Sequence, residues 1–414
     1  MSSDGVGFRV MSSTSPTQPI LAAAAAVSGH LDTRTSATEV AHKLHDALGG
    51  KVDLVISFAS FHHRAALQEG GELLRTTLNP DVNVAVTTEG VVGCGTELEG
   101  LAGWSTLALQ LPGVDLQPWR IELDQSMPED LNEVSELIGY GPDYRSTILL
   151  ADPFTTQVPK ILGAMSACAP SGRPMPVVGG LISGASQAGH NVLLLNDQLT
   201  NTGAVGISLS GDIEVDCLVS HGARPIGEPL VITKANQNMI LELGGKKATE
   251  VLQRLPQSIA PSDHELLKNG VLIGIAISEY KEHLGRGDFM VRNVLGVQNE
   301  TGAVVIGEVP RVGQTVQFMV RDSNTATEDL QLLLDSQVLK SDPLAALLFT
   351  CNGRGRRLFE EENHDISIID ERLGKRPVTG FFASGEIGPV AGRPFLHGHA
   401  ATLAILRPLQ DEPE

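Results

Sequence analysis

LAALLFTCNGRGRRLF, residues 344–359, joins an apolar run to a cysteine, two glycines and three arginines. A near-continuous apolar run of this length suits a strand covered on both faces. Glycines at 353 and 355 permit positive φ, so successive N–H groups beyond the strand can converge on an anion. Three further runs have the same character: LVISFAS (54–60), STILLA (146–151) and VLIGIAIS (271–278).

Three of the four open the same succession. The first goes LVISFAS, helix, VNVAVTT, EGVVGCGTELEGLAGW, STLALQL. The second goes STILLA, helix, MPVVGG, LISGASQAGH, NVLLLND, and the third LAALLFT, helix, PVTGFFA, SGEIGPVAGRPFLHG, HAATLAIL. Each reads strand, helix, strand, glycine-rich turn, strand, and the first two continue into QPWRIEL and IEVDCLVS. The likeness lies in pattern more than in identity. Helical crossovers imply parallel strand pairs and glycine turns imply antiparallel hairpins. The predicted fold class is therefore α/β, with mixed sheets built from repeated strand–helix–strand–glycine hairpin–strand units.

Helix signals fit this frame. SATE (36–39) reads as a capping box, with Val40, Leu44 and Leu48 on one face and Gly49-Gly50 as the stop. Asp152-Pro153 reads as a cap ahead of the stripe Val158, Leu162, Met165. Helices are also expected over 325–340 and 364–373, and His62-His63 as polar residues at a helix start. Between Cys217 and Asp322, segments such as FMVRNVLGVQ and QTVQFMVRD alternate apolar and polar residues, as half-exposed antiparallel strands do.

Composition narrows the function. The chain has 414 residues and a net charge of −19, a field that repels phosphate and argues against a nucleic-acid or anionic-membrane binder. Four cysteines (Cys94, Cys168, Cys217, Cys351) without a CxxC pair fit a reducing compartment and no zinc knuckle. Residues 1–29 read as a Ser/Thr/Pro-rich leader rather than a signal peptide, and no other stretch is apolar enough to span a membrane. With neither a P-loop nor a well-placed G-x-G-x-x-G, no cofactor is assigned.

The candidate site has two parts. One is the loop Cys351, Asn352, Gly353, Arg354, Gly355. Arg354 there serves either as a bidentate anion clamp or as a structural one, while Arg356 and Arg357 read as solvated. The other is SGEIGPVAGRPFLHGH (384–399), in which Arg393 would meet a carboxylate and Glu386 an amine, the alternative being an internal ion pair; His397 lies close by. The strands ahead of both parts flank one helix, so a right-handed crossover is expected to bring both exits to one sheet edge. His397-x-His399 lacks a third ligand, so no metal is assigned. No catalytic residue is assigned; Cys351 with a nearby histidine is the candidate of an alternative enzyme reading. Cys94 between glycines only loosely resembles a nucleophile elbow.

From about Val52 to Leu406 the chain resembles the FIST family (F-box and intracellular signal transduction proteins). The stretches that carry this are HGARPIGEPLVIT, ILELGGKKATEVL, DFMVRNVLGVQNETGAVVIGEVPRVGQTVQFMVRD, LFTCNGRGRRLF and GFFASGEIGPVAGRPFLHGHAATLAIL, in that order. Cys351, Asn352, Gly353, Arg354, Gly355, Gly385, Glu386, Gly388, Pro389 and Arg393 match its motifs. The resemblance implies N- and C-terminal FIST parts, here 50–235 and 236–408, after a leader and first helix (1–49) and before a tail (409–414). It implies a cytoplasmic sensory protein binding a small polar or anionic metabolite such as an amino acid. With about fifty residues ahead of the domain and few behind it, the output is expected from a separate signalling protein. The alternatives are a cysteine-dependent acyl or amide transferase and a protein-binding scaffold. No oligomeric state is assigned.

Overall fold

The identical strand order of three sheets organises the larger of two compact units. The computed structural model describes residues 8–12, 20–123, 125–170, 173–281 and 284–409. One unit comprises residues 1–219, 330–396 and 401–414; the other comprises 220–329 and 397–400.

In the first unit, the two long strands of each repeat pair in parallel: Leu54–Ser60 with Val82–Thr88, Tyr144–Ala151 with Val177–Leu181, and Ala345–Cys351 with Val378–Ala383. The last strand of each repeat (Trp104–Gln110, Ala204–Gly211, Ala400–Pro408) lies antiparallel to the first. The strands Leu21–Ser28, Val114–Ile121 and Ile213–His221 follow on that side. The glycine hairpins, however, leave home. The hairpin of the first repeat, Gly90–Gly93 with Thr96–Glu99, joins the sheet of the third. That of the second, Leu193–Leu195 with Gln198–Thr200, joins the first, and that of the third, Glu386–Val390 with Arg393–His397, joins the second. The exchange is cyclic, and each repeat covers a strand edge of another that would otherwise be unpaired.

The inner faces of the three sheets share one apolar core. Phe58, Phe349 and Phe381 meet there with centroids 4.9–6.0 Å apart, beside Ile148, Leu150 and Val178 of the second repeat. Helices cover the outer faces: Thr33–Leu48 and Leu67–Leu78 on the first sheet, Leu131–Leu137 and Val158–Cys168 on the second, and His364–Leu373 with the end of Ser323–Asp335 on the third. Close strand approach demands glycine at equivalent places. A Cβ on Gly179 would lie 1.9 Å from the Leu149 carbonyl oxygen, and one on Gly380 1.9 Å from that of Leu348.

Several local expectations are corrected. The alanine run read as leader is the buried strand Leu21–Ser28. Its small side chains fill both faces, Ala23 and Ala25 toward the shared core and Ala22, Ala24 and Ala26 toward the helices. The first helix is capped by Asp32, whose carboxylate accepts from Thr35 N at 2.8 Å, not by Ser36. His63 is buried in the 3₁₀ turn Phe61–Ala66, bonded to Thr33 Oγ1 at 3.0 Å and edge-on to Trp104. Cys94 and Gly95 both have positive φ and form a tight hairpin turn rather than a nucleophile elbow. Burial pushes the Cys94 thiol up to about 12.

The second unit is a closed antiparallel barrel. Its strands run Ala223–Asn236, Thr315–Arg321, Leu272–Ala276, Phe289–Gln298, Ala303–Ile306 and Met239–Leu243, the last pairing back onto the first. Ile226, Ile232, Ile273, Ile275, Val304, Ile306 and Phe318 fill it, which is the inward half of the alternation seen in the sequence.

Candidate functional site

The loop after Ala345–Cys351 is built on a buried ion pair. Arg354 is 1% exposed. Its Nε and Nη2 each donate to Asp365 at 2.8 Å, in a bidentate fork. Thr350 Oγ1 donates to the same carboxylate at 2.7 Å, and His364 Nδ1 lies 2.9 Å from it. The His364 ring stacks on Phe359, whose face Arg354 also approaches, with Cζ 5.2 Å from its centroid. Burial works to raise the Asp365 pKa, but Arg354 and His364 outweigh it and hold the carboxyl well below the usual range. Arg354 is thus the structural clamp of the two roles open to it.

The hairpin that meets this loop belongs to the first repeat, because of the cyclic exchange. Glu97 N donates to Asn363 Oδ1 at 2.7 Å, and Ile366 N donates to Glu97 Oε1 at 3.0 Å. Glu99 occupies an anion seat at Gly355 and the N–H that follows it. Arg356 N donates to its two oxygens at 3.0 and 3.2 Å, and Gly355, at φ 56°, comes so near that a Cβ would lie 2.5 Å from that carboxylate. Arg357 pairs with Glu89 and donates to the Asn352 carbonyl at 2.6 Å; Arg356 pairs with Glu362. Between these groups lies a cavity of about 220 Å³, lined by Glu89, Gly90, Glu99, Gly100, Asn352, Arg356, Arg357 and Phe382. Ser183, from the second repeat, ties the region together by accepting from Glu89 N at 2.9 Å and donating to the Phe382 carbonyl.

The other expected residues lie differently. Cys351 is buried, and its Sγ accepts from Gly353 N at 3.4 Å. Glu386 is fully buried, opposite Gly180 in the second sheet, in the place that Val91 takes in the third. Arg393 is exposed beyond the turn Ala391-Gly392, which bonds Met175 at the entry side of Val177–Leu181. That puts Arg393 roughly four strand residues, ~13 Å along the hairpin, from Glu386, with Arg393 exposed and Glu386 buried. His397 is buried, falls in the barrel unit, and faces His221 with centroids 5.4 Å apart. The two strand exits lie side by side as expected, Asn352 N donating to the Ala383 carbonyl at 2.8 Å, but the SGEIGPVAGR hairpin beyond them pairs with the second sheet. Glu89, Glu97, Glu99 and Asp365 take part instead. Their types were visible, but the swap that brings the acids of repeat one to repeat three has no local signal.

Both family signatures cover this architecture. Residues 53–246 match the FIST N domain and residues 248–389 the FIST C domain. The chain belongs to the FIST family. Its relatives include the uncharacterized proteins Rv0628c of Mycobacterium tuberculosis, 35% identical, and Mb0898c of Mycobacterium bovis, 33% identical; each match spans 90% of this chain and 96% of the relative. FIST domains are associated with signal transduction and small-ligand sensing. Among the described residues, no helix is long and apolar enough to cross a membrane.

The buried acids of this FIST chain set a pH dependence. Burial, then repulsion from Asp365, pushes Glu97 up to about 8 from its ordinary 4.5. Between those values the folded protein holds a proton that the unfolded chain has released, so this group's contribution falls as pH rises. Glu97→Gln keeps the acceptor for Ile366 N and abolishes the titration. Urea midpoints measured from pH 5 to 8 should show the variant gaining on the native protein as pH rises. Parallel curves would mean that Glu97 is ionised throughout.

Proposed function

We propose that this FIST protein is a sensor that binds a small polar or anionic metabolite, such as an amino acid, in the cavity beside Asn352, Arg356 and Arg357, and passes the signal to a separate protein. The observation that carries this reading is the convergence of two carboxylates and two guanidiniums on a cavity of about 220 Å³, a size suited to a small metabolite. Arg356 and Arg357 replace Arg354 as the ligand-facing cations, since they line the cavity from exposed positions while Arg354 is buried against Asp365. The burial of Cys351 supports a binding role over a cysteine-dependent transferase. The absence of a membrane-crossing helix among the described residues fits the cytoplasmic setting proposed here.

A thermal-shift screen of the amino acids and short dicarboxylates tests this. A ligand at 100 times its Kd adds about 2.7 kcal/mol of stability. The joint variant Arg356→Ala, Arg357→Ala is expected to weaken that ligand on the order of tenfold or more, through lost charge-assisted bonds. If no compound raises the melting temperature, the scaffold reading replaces this one.

A further inference from the structure

The cyclic exchange builds a second cavity by the same construction, one step round. The first lies where the exit of the third repeat's opening strand meets the glycine turn of the first repeat. At the exit of the first repeat's opening strand, the glycine turn of the second repeat takes that place. Phe61 follows Ser60 there as Asn352 follows Cys351, and Gly184 follows Ser183 as Gly90 follows Glu89. A cavity of about 260 Å³ results, with Phe61, Gly184, Ser186, Gln187 and His190 in its wall.

Its chemistry differs from that of the first. No carboxylate and no guanidinium lines it. Phe61 is 43% exposed, and the Arg64 guanidinium lies over its ring, 5.9 Å from the centroid. Ser186, Gln187 and His190 are exposed, and none of their side chains takes part in a hydrogen bond among the described residues. They sit on an extra loop, residues 185–192. The other two repeats go directly into their hairpin strands at Gly90 and Glu386. A loop inserted into one copy of a repeated scaffold, carrying unengaged polar groups over a cavity, is how folds add binding sites. Gly184 permits the close seating of that loop, since a Cβ would lie 2.7 Å from Thr87.

We propose that this second cavity binds an uncharged planar heterocycle of the nucleobase type. The ring stacks on Phe61, and Gln187, Ser186 and His190 meet the hydrogen-bonding edge. An amide side chain offers a donor and an acceptor side by side, the pattern that the edge of a base presents in complement. A net charge of −19 favours the free base over its phosphorylated forms. The site is independent of the charged cavity and stands whether or not that cavity takes an amino acid.

Saturation-transfer NMR on the full chain, with uracil and adenine at millimolar concentration, tests it. Signal is expected from at least one base. Phe61→Ala should weaken that binding about fivefold or more through lost stacking, and Phe61→Trp should restore it. Gln187→Ala should weaken it as well, and Arg357→Ala should leave it unchanged. Melting temperatures of the variants exclude unfolding as the cause. No transfer from either base, binding indifferent to Phe61→Ala, or tighter binding of uridine monophosphate than of uracil would each overturn the proposal.

Discussion

Replacing Arg354 with alanine is expected to destabilise the protein by about 3–5 kcal/mol, the usual cost of stranding one charge of a buried pair. The variant leaves Asp365, 1% exposed, without the fork that holds it, next to a buried Glu97. Asp365 then escapes by taking up a proton. The sign follows from linkage. In the native protein the depressed Asp365 pKa gives stability that is present above the ordinary value of 3.8 and is lost on acidification. The variant lacks that gain, so its deficit should be greatest near neutral pH and shrink below about pH 4. Urea unfolding at pH 7 and at about pH 3, below the ordinary carboxyl value, measures both arms. The pair Arg354→Met, Asp365→Leu removes both charges and should recover much of the loss. A single-variant loss under about 1 kcal/mol, the scale of an exposed pair, would return Arg354 to the list of ligand groups.

Gly380→Ala should be at least as damaging. The new methyl would sit 1.9 Å from the Leu348 carbonyl oxygen and 2.8 Å from its carbon, both backbone atoms of the neighbouring parallel strand. No rotamer relieves such a clash, and the strands flank the shared core, so a loss above about 4 kcal/mol or failure to fold is expected. Gly179→Ala repeats the test in the second sheet, with an added conformational cost at φ 151°. Gly163→Ala is the control. It lies exposed in the helix Val158–Cys168, where a Cβ would meet nothing within 4 Å, and should gain about 0.5–1 kcal/mol from helix propensity. Circular-dichroism melts of the three variants decide. Equal effects at Gly163 and Gly380 would refute the steric account.

The opening strands of the repeats were legible because burial on both faces leaves a near-continuous apolar run, as in LVISFAS and LAALLFT. The helix His364–Leu373 was legible from the spacing of Ile366, Ile369 and Leu373. The strand Leu21–Ser28 was not. Alanine favours no sheet by itself, and its burial between a helix layer and the core is a fact of packing. In the site, glycines 353 and 355 announced an anion seat; the structure has positive φ at Gly355 and sets Glu99 on the Arg356 N–H that follows it. Nothing near Glu99 in the sequence points to a loop more than 250 residues away, as the hydrogen bond to Arg356 shows.

The sequence by itself determined the repeated α/β units, the barrel strands and the family, since these follow from periodicity, turn chemistry and the order of motifs along the chain. Only the tertiary structure decided which repeat's hairpin meets which strand exit. It thereby decided that Arg354 is a buried strut while Arg356 and Arg357 face a cavity. The physical reason is that strand edges pair by backbone hydrogen bonds that any sequence can make, so the choice of partner sheet is left to the packing of the whole core.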